Sequence, residues 1–209
     1  MSKNELTTEK MTQALGWAYE KALNGIPGDL SSESLAKSYM KRFSSTDEAI
    51  HSLIKWQTAK SSTSGFVTGL GGIVTLPVAV PVNIASVLYV QMRMIAAIAY
   101  MRGYDLKDDQ VQTFVFICLT GQAASDILKQ SGITVGTKLT VQLIKKVPGA
   151  TLTKINQKVA FRLVTKFGEK GVINLGKLVP VVGGVIGASV DGVGTKIIGN
   201  QANKLFVEL

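Results

Sequence analysis

The sequence predicts an all-α protein, a single helical bundle around a central apolar helical hairpin that is broken by glycine and proline. Apolar residues recur at helical spacing in most segments, and alternating strand patterns with Asn-Gly turns are absent outside a Val- and Gly-rich tail. Apolar residues make up 46% of the 209 residues and charged residues only 18%, a composition that excludes intrinsic disorder. The predicted single domain, residues 1–209, has amphipathic helices over 1–60, the apolar hairpin region over 61–128 and basic helices over 129–209.

Three amphipathic helices are predicted in the N-terminal region. The first covers residues 7–24 and ends at Gly25, a typical C-cap residue; its inner positions are Met11, Leu15, Ala18 and Ala22. The second covers residues 31–43, and its inner positions are Leu35, Tyr39 and Met40. The third covers about residues 46–63, because Ser45 and Glu48 have the spacing of a capping box. Its inner positions are Ile50, Leu53, Ile54 and Trp56.

A run of 32 residues without a charge, from residue 61 to 92, forms the centre of the sequence. Gly65 and Gly69 have the spacing that lets two helices pack closely. Two prolines follow, and residues 82–102 then form a strongly apolar helix that Gly103 ends. Each apolar stretch of about 11 residues spans only about 16 Å, against about 30 Å of hydrocarbon. We therefore expect a hairpin buried in the protein, with partial insertion into a bilayer or a true span as alternatives.

Arg93 is the charged residue in the middle of that apolar helix, so it needs a partner if the helix is buried. Asp126 follows a second charge-free stretch and is the first candidate, and Asp105 is the next. A structural ion pair is the favoured interpretation of Arg93 and Asp126, and a ligand-binding pair is the alternative.

The C-terminal region carries the whole net charge of +9, because residues 129–209 hold twelve Lys or Arg and only three acids. Two basic helices are predicted, over 134–147 and 149–167, and a helix from residue 180 onward, with strand as the alternative for the tail. The last helix has a stripe of mostly small residues suited to close packing: Gly184, Ala188, Asp191, Thr195, Gly199 and Ala202.

Residue types that carry catalysis or bind metals are scarce in this chain. His51 is the single histidine and is expected at the surface, and Cys118 is the single cysteine and is expected in the core. The glycine-rich segments lack the lysine and the strand context of a nucleotide site. The acidic turn at residues 105–109 is expected to cap the following helix. We therefore predict no catalytic residues, no metal, no cofactor and no enzymatic activity.

The predicted helix over 149–167 carries the strongest functional pattern, because its cations recur every four residues and no acid neutralises them. These cations are Lys154, Lys158, Arg162 and Lys166. An adjoining apolar side carries Leu152, Ile155, Val159 and Leu163. Basic amphipathic helices bind anionic membrane surfaces or acidic protein grooves. A nucleic-acid partner is not favoured, since no reader motif accompanies the cations.

Several long segments resemble the EcsC family of bacterial proteins. They are GFVTGLGGIVTLPVAVPVNIASVLYVQMRMIAAIAYMRGYD (65–105), KFGEKGVINLGKLVPVVGGVIGASVDGVGTKIIG (166–199), YEKALNGIPG (19–28) and IKWQ (54–57). The resemblance implies an α-helical domain without established enzymatic activity and an association with membranes or transport. It brings no catalytic residues.

The sequence thus favours a non-enzymatic helical protein that acts peripherally at the cytoplasmic face of a membrane. The N-terminus has no apolar segment of the kind found in secretory signals, and one unpaired cysteine is typical of a reducing compartment. The first alternative is a soluble adaptor that binds an acidic protein partner. The second is a binder of a small apolar ligand, or an enzyme, with Arg93 and Asp126 lining a cavity.

Overall fold

A computed structural model describes residues 6–61, 80–133, 144–168 and 186–207. In these ranges the chain forms eight α-helices and one short 3-10 helix, Gly121–Ala123, and no strand. The α-helices are α1 (Thr8–Asn24), α2 (Ser32–Met40), α3 (Thr46–Ser61), α4 (Val82–Met101), α5 (Asp109–Cys118), α6 (Ala124–Gln130), α7 (Gly149–Phe167) and α8 (Ile186–Leu205). The all-α fold class is confirmed.

Local capping explains the bounds of the N-terminal helices. The Thr7 side chain accepts a hydrogen bond from the Lys10 amide at 3.3 Å at the start of α1, and Ser45 accepts one from the Glu48 amide at 3.3 Å at the start of α3. Gly25 ends α1 with φ 77°, and a Cβ there would lie 3.0 Å from the Asp29 carbonyl oxygen. Because only glycine takes this conformation without strain, the turn between α1 and α2 depends on it.

Helix α4 is the centre of the bundle. It packs against α1, α2, α3, α5 and α8. Within it, every residue from Leu88 to Ala99 is buried, Arg93 included. An apolar helix surrounded by other helices removes most of its side-chain area from water, which is the main stabilising contribution to a bundle.

Helix α8 lies against α3 and α4. Its backbone approaches closely at Gly199, where a Cβ would meet Ile54 Cγ1 at 2.8 Å and Met94 Cε at 3.2 Å. Thr195 and Ala202 are also buried, so the small-residue stripe faces the core at these positions. The helical prediction for the tail is confirmed from Ile186 onward, and close packing is confirmed at Gly199. Gly65, Gly69 and Gly184 lie outside the described residues.

Two predicted core positions were wrong. Trp56 is 59% exposed, because it lies about 200° around α3 from Ile54, whose side of the helix faces α8. Met40 is 44% exposed, because it is the last residue of α2 and the next turn of helix, predicted to reach Phe43, does not form. The predicted first half of the hairpin and most of the predicted helix over 134–147 lie outside the described residues.

Candidate functional site

Helix α7 presents a basic face to solvent. The apolar side predicted for this helix is confirmed, since Leu152, Ile155, Val159 and Leu163 are all buried. With the apolar side turned inward against α1 and α5, the opposite side is left in water. Lys154 and Arg162 are exposed there, and Phe161 is 66% exposed between them.

A groove of about 1180 Å³ lies beside this face, between α1, the segment of the 3-10 helix and α6, and α7. The α1 wall consists of Thr8, Glu9, Thr12 and Gln13. The second wall consists of Ala123, Asp126, Ile127 and Gln130. The α7 wall consists of Thr153, Lys154, Asn156, Gln157, Lys158, Phe161 and Arg162. Three of the four predicted cations therefore line one groove, together with an exposed aromatic ring.

Lys154, Lys158 and Arg162 form no ion pair with any residue that the structure describes. The Lys158 ammonium donates a hydrogen bond to the Gln130 carbonyl oxygen at 3.0 Å, at the C-terminal end of α6. A helix C-terminus carries a partial negative charge, so this contact orients Lys158 without neutralising it. The charge of the α7 wall is therefore available to an anion.

The walls opposite α7 supply hydrogen-bond acceptors. Hydrogen bonds from its own backbone amide and from the Thr7 hydroxyl lower the pKa of Glu9, which keeps this exposed carboxylate ionised at neutral pH. Asp126 is exposed on the second wall. The groove thus combines cations on α7 with carboxylates across from them.

Asn156 on the α7 wall carries an acceptor that solvent does not reach. Its Oδ1 atom is buried and has no hydrogen-bond partner among the residues that the structure describes. A buried acceptor without a donor costs about 1–3 kcal/mol, and because the atom is covered by protein, this cost belongs to the packing of α7 and not to the groove.

Lys166 is the predicted cation that does not line the groove. It lies one turn nearer to the end of α7, and its ammonium is 5.2 Å from the centroid of the Phe167 ring. Phe161 was not predicted from the sequence as a functional residue. The signal was present, since Phe161 is about 160° around the helix from Val159 and therefore points away from the apolar side.

Arg93 pairs with a different carboxylate from the one predicted. Its side chain is 1% exposed and forms an ion pair with Asp29, and its NH1 group donates to the Leu30 carbonyl oxygen at 3.2 Å. Burial raises the pKa of Tyr89 to about 12, so its hydroxyl stays protonated and donates to Asp29 Oδ2 at 3.4 Å. The predicted pair of Arg93 and Asp126 is wrong, because the turn between α1 and α2 covers Arg93 while Asp126 faces solvent in the groove.

The other titratable side chains singled out in the sequence have surroundings that suit a structural role. His51 is exposed and Cys118 is fully buried, as predicted, and burial raises the pKa of the Cys118 thiol. Asp105 accepts a hydrogen bond from the Lys107 amide at 2.9 Å, and Asp108 lies 3.6 Å from the Lys145 ammonium. Within the described ranges, no three side chains of His, Cys, Asp or Glu are grouped in a way suited to a metal ion.

One described helix segment is long and apolar enough to cross a membrane, Ile84–Met101 of α4. However, 89% of this segment is buried inside the protein. Its apolar surface is therefore occupied by the neighbouring helices in this structure.

These features define a class: an α-helical bundle with a buried apolar central helix and a cationic groove at its surface. The family model of the EcsC protein family matches residues 2–207, so the chain belongs to the EcsC protein family. Comparisons with curated proteins and with solved structures each found no match.

Proposed function

We propose that this chain is a non-enzymatic protein that binds anionic lipid peripherally at the cytoplasmic face of a membrane, through the exposed face of α7. The observation that carries the proposal is that three cations without ion pairs in the part of the chain described line one groove together with the exposed ring of Phe161. These cations are Lys154, Lys158 and Arg162. Cations flanking an exposed aromatic ring suit the boundary between lipid headgroups and acyl chains. Membership of the EcsC family, with its implied link to membranes or transport, agrees with this role.

The expected strength of the contact is that of reversible binding. Each Lys or Arg near an anionic leaflet contributes about 1 kcal/mol, so three cations together give roughly a hundredfold enrichment at the surface. Partial insertion of Phe161 adds to this, because burying a whole phenylalanine side chain contributes about 1.5–3 kcal/mol. The burial of α4 supports a contact of this kind, made without the central helix entering lipid.

Flotation with vesicles tests the proposal. The full chain is mixed with vesicles of phosphatidylcholine alone or of phosphatidylcholine with phosphatidylglycerol, at low salt. We expect flotation with the anionic vesicles only, and progressive loss of binding as salt is added. Equal absence from both lipid layers at low salt would refute peripheral lipid binding.

A pair of charge-reversed variants shows which surface binds. The double variant Lys154→Glu and Arg162→Glu should lower affinity for the anionic vesicles at least a hundredfold, since two attractions become repulsions. The matched control, Lys41→Glu and Lys55→Glu, changes the net charge equally at exposed lysines of the N-terminal region. If the control loses as much affinity as the α7 variant, only net charge matters and α7 is not the binding face.

An adaptor that holds an acidic protein segment is the second candidate, and the concave shape of the groove favours it. This candidate predicts indifference to lipid, together with recovery of one stoichiometric protein partner that the α7 variant no longer binds. The two vesicle experiments therefore separate it from the first.

A further inference from the structure

We infer that the groove between α1, α6 and α7 binds the headgroup of a single anionic phospholipid whose phosphodiester carries free hydroxyl groups, as in a glycerol headgroup. This inference rests on the proposed function and adds a specificity that charge alone does not produce. Attraction to an anionic surface requires only that cations face outward, whereas three of the α7 cations line a concavity.

The α7 wall supplies the site for the phosphate. Lys154, Lys158 and Arg162 follow one another at successive turns of the helix, about 6 Å apart along its axis. A phosphodiester carries one negative charge on two oxygens that accept hydrogen bonds from ammonium and guanidinium groups. The Lys158 ammonium is oriented by its hydrogen bond to the Gln130 carbonyl oxygen at 3.0 Å.

The other atoms of the groove supply acceptors for hydroxyl groups. The Glu9 and Asp126 carboxylates line the two walls that face α7, and both side chains are exposed. A carboxylate repels a phosphate but accepts a hydrogen bond from a hydroxyl. A ligand that is anionic at one end and rich in hydroxyls at the other is therefore the chemistry that suits both sides of the groove.

The position of Phe161 indicates where the acyl chains of the lipid would lie. Its ring lines the groove and is 66% exposed, so the groove opens where an apolar side chain faces outward. Acyl chains attached to a headgroup in the groove would pass beside this ring. The volume of about 1180 Å³ holds a headgroup with its bound waters, since sites for small molecules are commonly about 300–1,000 Å³.

Two lipids of equal charge test the inference. Phosphatidylglycerol and phosphatidylmethanol each carry one negative charge, but a methyl group replaces the glycerol in the second. Binding of the full chain to vesicles of phosphatidylcholine with either lipid is measured by cosedimentation at the same salt. We expect about fivefold higher affinity for phosphatidylglycerol, the effect of one hydrogen bond from a hydroxyl to a carboxylate.

The variant Asp126→Leu removes one acceptor and should lower the affinity ratio towards one, while the loss of a negative charge strengthens binding to both lipids. The fold is expected to tolerate this change, because Asp126 is exposed and forms no ion pair with a described residue. The variant Asp126→Asn removes the same charge but keeps an acceptor oxygen at this position, so it should keep the preference for phosphatidylglycerol.

The affinities for the two lipids distinguish headgroup selection from peripheral lipid binding in general. Equal affinity of the wild type for the two lipids would overturn headgroup selection while leaving peripheral binding intact, and no binding to either lipid would overturn the proposed function itself. Binding of soluble glycerophosphoglycerol as tight as that of the vesicles would identify a free phosphate ester as the ligand and overturn the lipid source.

Discussion

Helices α4 and α7 have nearly the same length, 20 and 19 residues, but their cations have opposite surroundings. The single cation of α4, Arg93, is 1% exposed and is paired with Asp29. The cations at Lys154, Lys158 and Arg162 of α7 line an open groove and have no carboxylate partner in the described ranges. The charge of α4 therefore contributes to the fold, whereas the charges of α7 lie at the surface, where we propose that a partner binds.

This difference shows how position decides the role of a cation. A guanidinium in the core is stable only with a carboxylate and further hydrogen bonds, so the partners of Arg93 come from the turn between α1 and α2. At the surface, water solvates an ammonium group, and the absence of a carboxylate costs little. Basic residues left in this way on a concave surface are free to bind an anion.

Replacing Arg93 should produce the largest change. The variant Arg93→Ala should lower the free energy of unfolding by about 3–5 kcal/mol, because it removes a buried pair and leaves Asp29 without its cation. Urea denaturation measures this change.

The matched control is Lys37→Ala, which breaks the pair with Glu33 at the surface, where both side chains are more than half exposed. It should cost at most about 1 kcal/mol. If Arg93→Ala leaves too little folded protein, Asp29→Asn provides a milder test of the same pair. A loss of stability at Arg93 or Asp29 no larger than at Lys37 would remove the distinction between the two helices.

Glycine substitutions in α8 should have smaller effects of opposite sign. The variant Gly199→Ala should lower stability by about 1 kcal/mol, since overpacking against Ile54 Cγ1 at 2.8 Å outweighs the gain in helix propensity. The variant Gly194→Ala lies in the same helix with nothing within 4 Å of the new Cβ, so it should raise stability by about 0.5–1 kcal/mol. Thermal unfolding of the two variants under identical conditions measures both, and stabilisation by both would show that α8 is not tightly packed on α3 and α4.

Replacing Phe161 should have the smallest effect on the free energy of unfolding and should act on binding alone. The variant Phe161→Ala should lower affinity for phosphatidylglycerol vesicles about fivefold, as expected for a ring only partly buried in the headgroup region. Stability should stay within about 0.5 kcal/mol of the wild type, because the side chain is 66% exposed.

Trp56→Ala is the control for this variant, since Trp56 is 59% exposed on α3, away from the α7 groove. It should leave lipid affinity unchanged in the cosedimentation assay. An equal loss of affinity from the two variants would show that any exposed aromatic residue contributes, and the α7 face would lose its special role.

Much of the helical framework follows from local signals in the chain. The start of α3 after Ser45, the end of α1 at Gly25 and the start of α7 after Pro148 all depend on residues within one turn of the helix end. The buried side of α7 is likewise predicted by the helical spacing of its apolar residues. Such features are predictable because the interacting groups are neighbours in the chain.

The partner of Arg93, the exposure of Trp56 and the groove itself are not local. Asp29 precedes Arg93 by more than 60 residues, and the walls of the groove come from three separate parts of the chain. Periodicity shows which side of a helix is apolar, but it does not show which other helix covers that side or at what angle. The amino-acid pattern was therefore enough for an all-α chain with a basic late helix, whereas the choice of ion-pair partner and the shape of the cationic surface arose from packing between distant segments.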